Sequence, residues 1–314
     1  MAKKNRHTYP DVPPQLAHVV VDNHTHLPVG TDHGALGDTR DYSHRPPAEI
    51  PPTIDEHLAR MDAAGIRAAI TCGCEVPDLA ESVELASRYP GRIYTAIAIH
   101  PNEAPLHCGI TEKGPDGLEH GTDPWHREYS LEEAVQLVAD LAREPGMVAI
   151  GETGLDYFRT AEAGKEAQKE AFRLHIALAK ELDLPLQIHD REAHADCVEV
   201  LLAEGAPERT VFHCFSGDVA LAEVCVDNGW YGSFGGTLTY KTNDELREAF
   251  CAFPDELVLL ETDAPYLTPM PWRGHPNAPY AAAYVARFGA ELRGLDEAQW
   301  CERLDTNTRE VYEI

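Results

Sequence analysis

Apolar and polar residues follow a repeating block pattern along this chain. Eight short apolar runs, rich in β-branched residues, alternate with longer stretches in which apolar residues recur at helical spacing. Runs such as HVVVDNHTH (18–26) and LPLQIHD (184–190) predict strands, whereas TIDEHLARMDAAG (53–65) and GKEAQKEAFRLHIALAKELD (164–183) predict helices. Several helical stretches begin near Ser, Thr, Asp or Asn and end at Gly, as capped helices do.

The number of these units predicts the fold. Eight β–α units in one chain predict an α/β fold of the (β/α)8 TIM-barrel type. An open, doubly wound parallel sheet is the alternative, because eight strands are also compatible with it. Two amphipathic stretches after the last run, at 282–294 and 296–314, predict helices at the C-terminus.

Two stretches interrupt the pattern, and a third precedes it. Residues 28–52 and 103–129 are rich in Gly, Pro and charge, and each follows a predicted strand. In a barrel this places them on the rim of the catalytic face, although loose surface insertions would have the same composition. Residues 1–17 are basic and then proline-rich, which predicts a poorly ordered extension before a single barrel domain at 18–314.

The charge and hydropathy of the chain limit its partners. The net charge of −27 repels nucleic acid at long range, which argues against a protein that coats DNA non-specifically. An enzyme that takes a phosphate onto bound cations remains compatible with this charge. No apolar run approaches the ~20 residues of a membrane span, and no secretory signal is recognisable. We therefore expect a cytoplasmic protein with no membrane contact, and no obligate protein partner is evident.

Residues that bind metals end most of the predicted strands. The first strand ends in His24 and His26, which would share one face of a regular strand with Asp22. Alone, this pair fits two hydrogen-bonded histidines as well as a metal site. Similar residues end five further strands, namely His100, Glu152, Asp156, His189, Asp190, His213, Glu261 and Asp263. Because these strand ends meet at one mouth of a barrel, together they predict a metal site.

The residue types indicate the chemistry of this site. Imidazole and carboxylate ligands suit Zn²⁺, Mn²⁺ or Fe²⁺, and a carboxylate-rich site also suits Mg²⁺. Glu152 could bridge two divalent cations, which would then stabilise both the attacking and the leaving oxygen of a displacement at phosphorus. A metal-bound water, acidified towards hydroxide near neutral pH, would supply the nucleophile, with Asp263 as its general base. The prediction is a hydrolase with two divalent cations, Zn, Mg or Mn.

A set of ordered motifs adds a family resemblance to these observations. They are DNHTHL, AIHPNEA, GETGLDY, QIHDREAH, FHCFSG, ETDAPYLTP, PWRGHPNAP and NTREVY, and they run from residue 22 to residue 312. The chain thereby resembles the TatD-family metal-dependent hydrolases, which are TatD-related deoxyribonucleases of the amidohydrolase superfamily. The resemblance implies a TIM barrel and a divalent-metal deoxyribonuclease, often a 3′→5′ exonuclease, which would act here on DNA ends or short single-stranded DNA.

The resemblance also implies roles for individual residues. The implied ligands are, for one cation, His24, His26, Glu152 and Asp263, and for the other, Glu152, His189 and His213. Glu152 and Asp263 would also act in catalysis, with His100 and Asp156 as pocket residues near the scissile phosphate. Arg273 resembles the family's motif arginine, and a guanidinium there could clamp a phosphate. A salt bridge within its loop is the alternative.

Three departures from the family pattern concern the rim more than the ligands. HPNAP (275–279) replaces the usual RNEP, Asn102 stands where a second histidine is common, and the two insertions are longer than expected. These departures leave the substrate open. A hydrolase of a small amide, lactone or ester is the alternative to a nuclease, because the same ligands serve attack on carbon or phosphorus. A non-catalytic barrel that keeps its metal for stability is a third possibility.

Overall fold

The fold is known from a computed structural model that describes residues 8–28 and 51–314. Eight strands form one sheet in the order β1 to β8, and each strand pairs in parallel with its neighbour in sequence. The strands are β1 Val20–Thr25, β2 Ile66–Gly73, β3 Ile93–Ile97, β4 Met147–Asp156, β5 Leu186–Arg191, β6 Thr210–Phe212, β7 Tyr231–Phe234 and β8 Val258–Leu260. This order confirms the predicted barrel, because the alternative doubly wound sheet would reverse its strand order partway.

Helices occupy the intervals between strands, as the periodicity predicts. They are α1 Ile54–Ala64, α2 Val76–Arg88, α3 Ala104–His107, α4 Trp125–Glu128, α5 Leu131–Leu141, α6 Lys165–Leu182, α7 His194–Glu204, α8 Val219–Asp227, α9 Asp244–Ala252, α10 Ala282–Arg293 and α11 Glu297–Tyr312. The single-turn helices α3 and α4 lie in the 103–129 insertion and were not predicted. Helix α1 shows how the sequence sets the boundaries: Thr53 and Glu56 form a capping box, and Gly65 ends the helix in a left-handed conformation.

Apolar side chains form two layers on opposite faces of the strands. The larger cluster lies between the strands and the surrounding helices and includes Phe172 of α6 and Phe250 of α9. The smaller cluster fills the barrel interior, where Val21, Ile70 and Leu259 meet the C-terminal end of α11. Helix α11 therefore covers the end of the barrel opposite the strand C-termini.

The barrel is nearly closed where β8 returns to β1. The Asn23 side chain donates a hydrogen bond to the Leu260 carbonyl at 2.8 Å, and the Asp263 amide donates to the His24 carbonyl at 3.0 Å. The carboxylate of Asp22 accepts from the amide and hydroxyl of Thr262 at 2.7 and 2.6 Å. Because its oxygens are used in this way, Asp22 belongs to the seam and not to the metal-ligand cluster. The β1–β2 pairing is irregular between Asp22 and Thr25, so the strict alternation assumed from the sequence does not hold there.

Part of the N-terminal extension packs against the barrel, whereas other segments outside the β–α repeat lie beyond the described residues. Residues 8–17 run along the barrel, where Tyr280 and Arg287 donate to the carbonyls of Pro10 and Pro14, so this part of the predicted poorly ordered extension is packed and hydrogen-bonded. Residues 1–7 and 29–50, with most of the first insertion, lie outside the described residues. Within residues 8–28 and 51–314, no helix is both long and apolar enough to cross a membrane.

Candidate metal centre

The C-terminal ends of the strands bring the predicted ligands together around one carboxylate. Glu152, in the C-terminal half of β4, is 4% exposed and lies among histidines from several strands. On one side, its Oε2 lies 3.6 Å from His24 Nε2 and 3.8 Å from His26 Nε2. On the other side, its Oε1 lies 2.5 Å from His189 Nδ1 and 2.8 Å from His213 Nε2. The two oxygens of Glu152 therefore face two different pairs of imidazoles.

Each of these four histidines has an inner ring nitrogen, which faces Glu152, and an outer ring nitrogen, which faces away from it. The outer nitrogen of each one lies close to a hydrogen-bond acceptor. His24 Nδ1 lies 3.0 Å from Gln187 Oε1, and His213 Nδ1 lies 3.2 Å from Glu261 Oε1. The remaining two outer contacts join His26 Nδ1 to the Cys72 carbonyl at 3.3 Å and His189 Nε2 to Asp156 Oδ2 at 3.1 Å. A neutral imidazole that donates its outer N–H has a free lone pair on its inner nitrogen, and this is the form that binds a metal.

His100 has the opposite arrangement. Its Nδ1 accepts a hydrogen bond from the Asn102 amide at 3.1 Å, and its Nε2 lies 3.4 Å from Glu152 Oε1. A neutral imidazole that accepts at one nitrogen carries its proton on the other. The hydrogen bond therefore makes His100 a donor towards the centre, which distinguishes it from the four histidines that present lone pairs.

Carboxylates attract positive charge to this buried centre. Burial acts to raise the pKa of Glu152, but the positive charge of His213 and His189 and the hydrogen bond from His100 outweigh it and hold the pKa well below its usual range. Burial acts to lower the pKa of His189, but Glu152 and Asp156 together raise it to about 9. A divalent cation supplies positive charge at the same place and competes with protons for the same nitrogens.

The spacing of the inner atoms fits cation binding. Bonds of about 2.0–2.2 Å place neighbouring ligand atoms of a tetrahedral ion roughly 3.3–3.6 Å apart. The inner nitrogens of His24 and His26 are 3.4 Å apart, and Asp263 Oδ1 lies 3.4 Å from His26 Nε2. Two groups of metal-binding side chains that contain histidines share Glu152, one with His24 and His26 and the other with His100 and His189. The residues present therefore suit divalent cations.

The centre lies at the bottom of an open mouth of about 1460 Å³. Glu103 and His120 of the 103–129 insertion line this mouth, which places that insertion at the catalytic end of the barrel. Acidic side chains outside the centre also line it, namely Glu75, Asp78, Glu103, Asp190, Asp218, Asp244 and Glu245. Among the described lining residues, the arginines are Arg159 and Arg191, and lysine is absent.

Arg273 lies apart from this mouth. Its exposed guanidinium stacks over the ring of Tyr240 at 4.2 Å, and it is not among the lining residues. The structure thus brings together the six predicted ligands with His100 and Asp156, but it places Arg273 outside the cavity.

Two contributors were not among the predicted site residues. Gln187 precedes His189 by two residues on β5, so a polar side chain within an apolar strand was the available signal. Cys74, at the end of β2, has its sulfur 3.7 Å from Glu152 Oε2. The sequence shows the Cys72–Cys74 pair but not its distance from β4.

The fold and the centre together define a class of protein, a TIM barrel with a site for divalent cations at its catalytic end, and the relatives below identify it as a metal-dependent hydrolase. The family model described as TatD related DNase matches residues 21–313, and the chain belongs to this family. The "Uncharacterized metal-dependent hydrolase TatD" of Mycobacterium tuberculosis is 37% identical over 297 residues, which cover 93% of this chain and 97% of the relative.

Two further relatives support the same assignment. The "3'-5' ssDNA/RNA exonuclease TatD" of Klebsiella pneumoniae is 34% identical over 268 residues, covering 83% of this chain and 92% of the relative. The crystal structure of YJJV, a TatD homologue from Escherichia coli, superposes with a TM-score of 0.70 at 30% identity, covering 83% of this chain and 92% of that one. The resemblance seen in the motifs is thereby confirmed across the barrel.

The hydrogen bond from His213 to Glu261 generates the first prediction. We expect Glu261→Ala to lower divalent-metal affinity about 10- to 100-fold, because it removes the acceptor that fixes the His213 tautomer. Competition with a chromophoric chelator measures the affinity. Glu261→Gln, which keeps an amide oxygen as acceptor, should lose less, and Glu256→Ala removes a nearby carboxylate that lies outside the mouth as a matched control. Unchanged affinity in Glu261→Ala would contradict this role.

Proposed function

We propose that this hydrolase is a deoxyribonuclease that cleaves phosphodiester bonds at DNA ends or in short single strands, with 3′→5′ polarity. The observation that carries the proposal is the position of Glu152 between two pairs of imidazoles, which suits a pair of cations rather than one. The name of the Klebsiella pneumoniae relative, a 3'-5' ssDNA/RNA exonuclease, supports the substrate class.

Two divalent cations, Zn²⁺, Mg²⁺ or Mn²⁺, would share the Glu152 carboxylate. His24, His26 and Asp263 would complete one site, and His189 and His213 the other. When bound, such a pair acidifies water and stabilises negative charge on the oxygens of a phosphodiester. The barrel contributes ligands from five separate strand ends, which holds them in place on rigid elements.

The remaining side chains would handle protons and orientation. Asp263 lies at the edge of the centre, 14% exposed, where its carboxylate can take the proton of the attacking water. His100 presents an N–H, which can donate to a phosphate oxygen or to the leaving oxygen. Asp156 accepts from His189 and also from the amides of Phe158 and Arg159, so its part is to fix His189 and the following loop.

The charges of the mouth favour a short substrate over a long track of DNA. Arg159 and Arg191 are placed to contact phosphates, whereas seven acidic side chains line the same mouth. A long polyanion would meet these carboxylates at each further phosphate. We therefore propose that the substrate end enters the mouth and that contacts are made to few phosphates.

The same acidic lining favours a second candidate function. A small amide, lactone or ester that is neutral or cationic would avoid the repulsion that a phosphodiester meets. The ligand cluster serves attack on either a carbonyl carbon or phosphorus. This candidate is the one that the substrate test must separate from the nuclease.

Direct comparison of substrates tests the proposed function. Metal-loaded protein is incubated with single-stranded and double-stranded DNA labelled at the 5′ or 3′ end, beside a panel of esters, lactones and amides. We expect the highest kcat/KM on single-stranded DNA, with a ladder of 5′-labelled products shortened from the 3′ end. Turnover of an ester, lactone or amide with no cleavage of DNA would replace the nuclease with the second candidate.

Asp263→Asn provides the control that the activity belongs to this centre. The variant keeps the side-chain shape and one coordinating oxygen but loses most of the basicity. We expect metal retention and an unchanged melting temperature while kcat falls roughly 10²- to 10⁴-fold, the usual contribution of a positioned general base. Near wild-type cleavage by the metal-loaded variant would remove Asp263 from the proton transfer.

The acidic lining also predicts a pH dependence. Burial, with the neighbouring Glu103 and Asp78, raises the pKa of Glu75 to about 7, so Glu75 is mostly neutral at about pH 6 and anionic at about pH 8. The quantity to compare is kcat/KM for DNA of Glu75→Gln divided by that of wild type. We expect this ratio to be near one at the lower pH. It should rise roughly threefold at the higher pH, where wild type carries a repelling charge.

A matched variant isolates the effect of position. Glu84→Gln removes the same charge from the exposed face of α2, away from the mouth, and its ratio should stay near one at both pH values. A Glu75→Gln ratio that is flat across this range would show that Glu75 does not repel the substrate.

A further inference from the structure

Two cysteines lie at the edge of the metal centre. Cys72 is the penultimate residue of β2 and Cys74 follows the end of that strand, and together with Glu152 they form a third group of metal-binding side chains. Cys74 lines the mouth, with its sulfur 3.7 Å from Glu152 Oε2 and in hydrogen-bond contact with His26. A soft donor thus stands beside the carboxylate oxygen that faces His24 and His26.

The spacing fits a sulfur ligand at this position. A zinc ion binds sulfur at about 2.3 Å and nitrogen or oxygen at about 2.0–2.2 Å, which places sulfur and oxygen roughly 3.5–3.7 Å apart in a tetrahedral site. The separation from Cys74 Sγ to Glu152 Oε2 is 3.7 Å, close to that value. The separations among His24, His26 and Glu152, from 3.4 to 3.8 Å, are of the same size.

The two cysteines are not equivalent. The Cys72 thiol is buried and donates to the Gly151 carbonyl at 3.1 Å, whereas its sulfur lies 3.8 Å from that of Cys74. Its hydrogen-bond geometry makes Cys72 a side chain that holds Cys74 in place. Both cysteines line the mouth, but Cys74 is the less buried of the two, so its sulfur is the one that can turn towards a cation.

We propose that Cys74 is an additional ligand of the cation held by His24, His26 and Glu152, and that its sulfur makes this position selective for a thiophilic divalent cation such as Zn²⁺ over Mg²⁺. The inference rests on the metal centre of the proposed function and names no substrate. The S–H proton passes to solvent as the metal–sulfur bond forms. Mg²⁺ takes oxygen ligands, so it would gain nothing from the thiolate.

Cobalt(II) substitution tests the proposal without any turnover. A thiolate bound to Co²⁺ gives a charge-transfer absorption in the near ultraviolet, whereas imidazole and carboxylate ligands alone give the weaker visible bands. We expect the wild-type cobalt protein to show the near-ultraviolet band and Cys74→Ser to lack it while keeping visible bands and the wild-type melting temperature. A wild-type cobalt protein without the band, or a Cys74→Ser protein that keeps it, would overturn the proposal.

Other cysteine variants assign the band to one sulfur. Cys72→Ser keeps a donor to the Gly151 carbonyl, and Cys214→Ser removes a thiol that lines the mouth from a different strand end, so both should retain the band. Cys108→Ser, at an exposed position beyond α3, is the matched control. Loss of the band in Cys214→Ser but not in Cys74→Ser would assign the ligand elsewhere and contradict the proposal.

Affinity for two metals gives a second readout. We expect Cys74→Ser to weaken Zn²⁺ binding at least about 10-fold while Mg²⁺ binding stays within about twofold of wild type. An unchanged ratio of the two affinities would overturn the selectivity. Because the readouts are spectra and affinities, a protein that shows the band but cleaves no DNA would contradict the proposed nuclease and leave this inference standing.

Discussion

The structure depends on one buried carboxylate, that of Glu152, which lies among imidazoles at the bottom of the barrel mouth. An ionised carboxylate away from water is costly unless positive charge compensates it. His213 and His189 supply that charge, and His100 adds a hydrogen bond. When a cation supplies the charge instead, His24, His26, His189 and His213 would present their lone pairs to it. Closure of the barrel brings the ends of their strands to one place, so the same geometry that closes the sheet also assembles the site.

Outer hydrogen bonds extend this arrangement to the far end of the barrel. Gln187 accepts from His24 on one side, and its amide donates to the Asn23 carbonyl and the Tyr312 hydroxyl on the other. Tyr312 ends α11, the helix that covers the opposite end of the barrel. The C-terminal helix therefore helps to fix the orientation of His24, one of the proposed metal ligands, as well as to cover apolar surface.

Much of this could be predicted from the sequence, because it depends on local pattern. Strands and helices follow from periodicity and capping, and the proposed metal ligands from the residues that end apolar runs. The hydrogen-bond acceptors of the outer histidine nitrogens could not be predicted, because Gln187 and Glu261 contact histidines of other strands. The stacking of Arg273 on Tyr240 and the use of Asp22 at the seam likewise depend on loop paths that periodicity does not encode.

Metal stoichiometry in wild type and Glu152→Ala tests the central claim most directly. The account predicts about two divalent ions per wild-type chain after reconstitution, by elemental analysis of folded protein. Glu152→Ala removes the shared carboxylate, and the prediction is fewer than one ion per chain with a retained native circular dichroism spectrum. Glu204→Ala, at the exposed end of α7, serves as the control and should match wild type. A Glu152→Ala protein that still binds two ions, or a wild type that never exceeds a small fraction of one, would contradict a centre organised by this carboxylate.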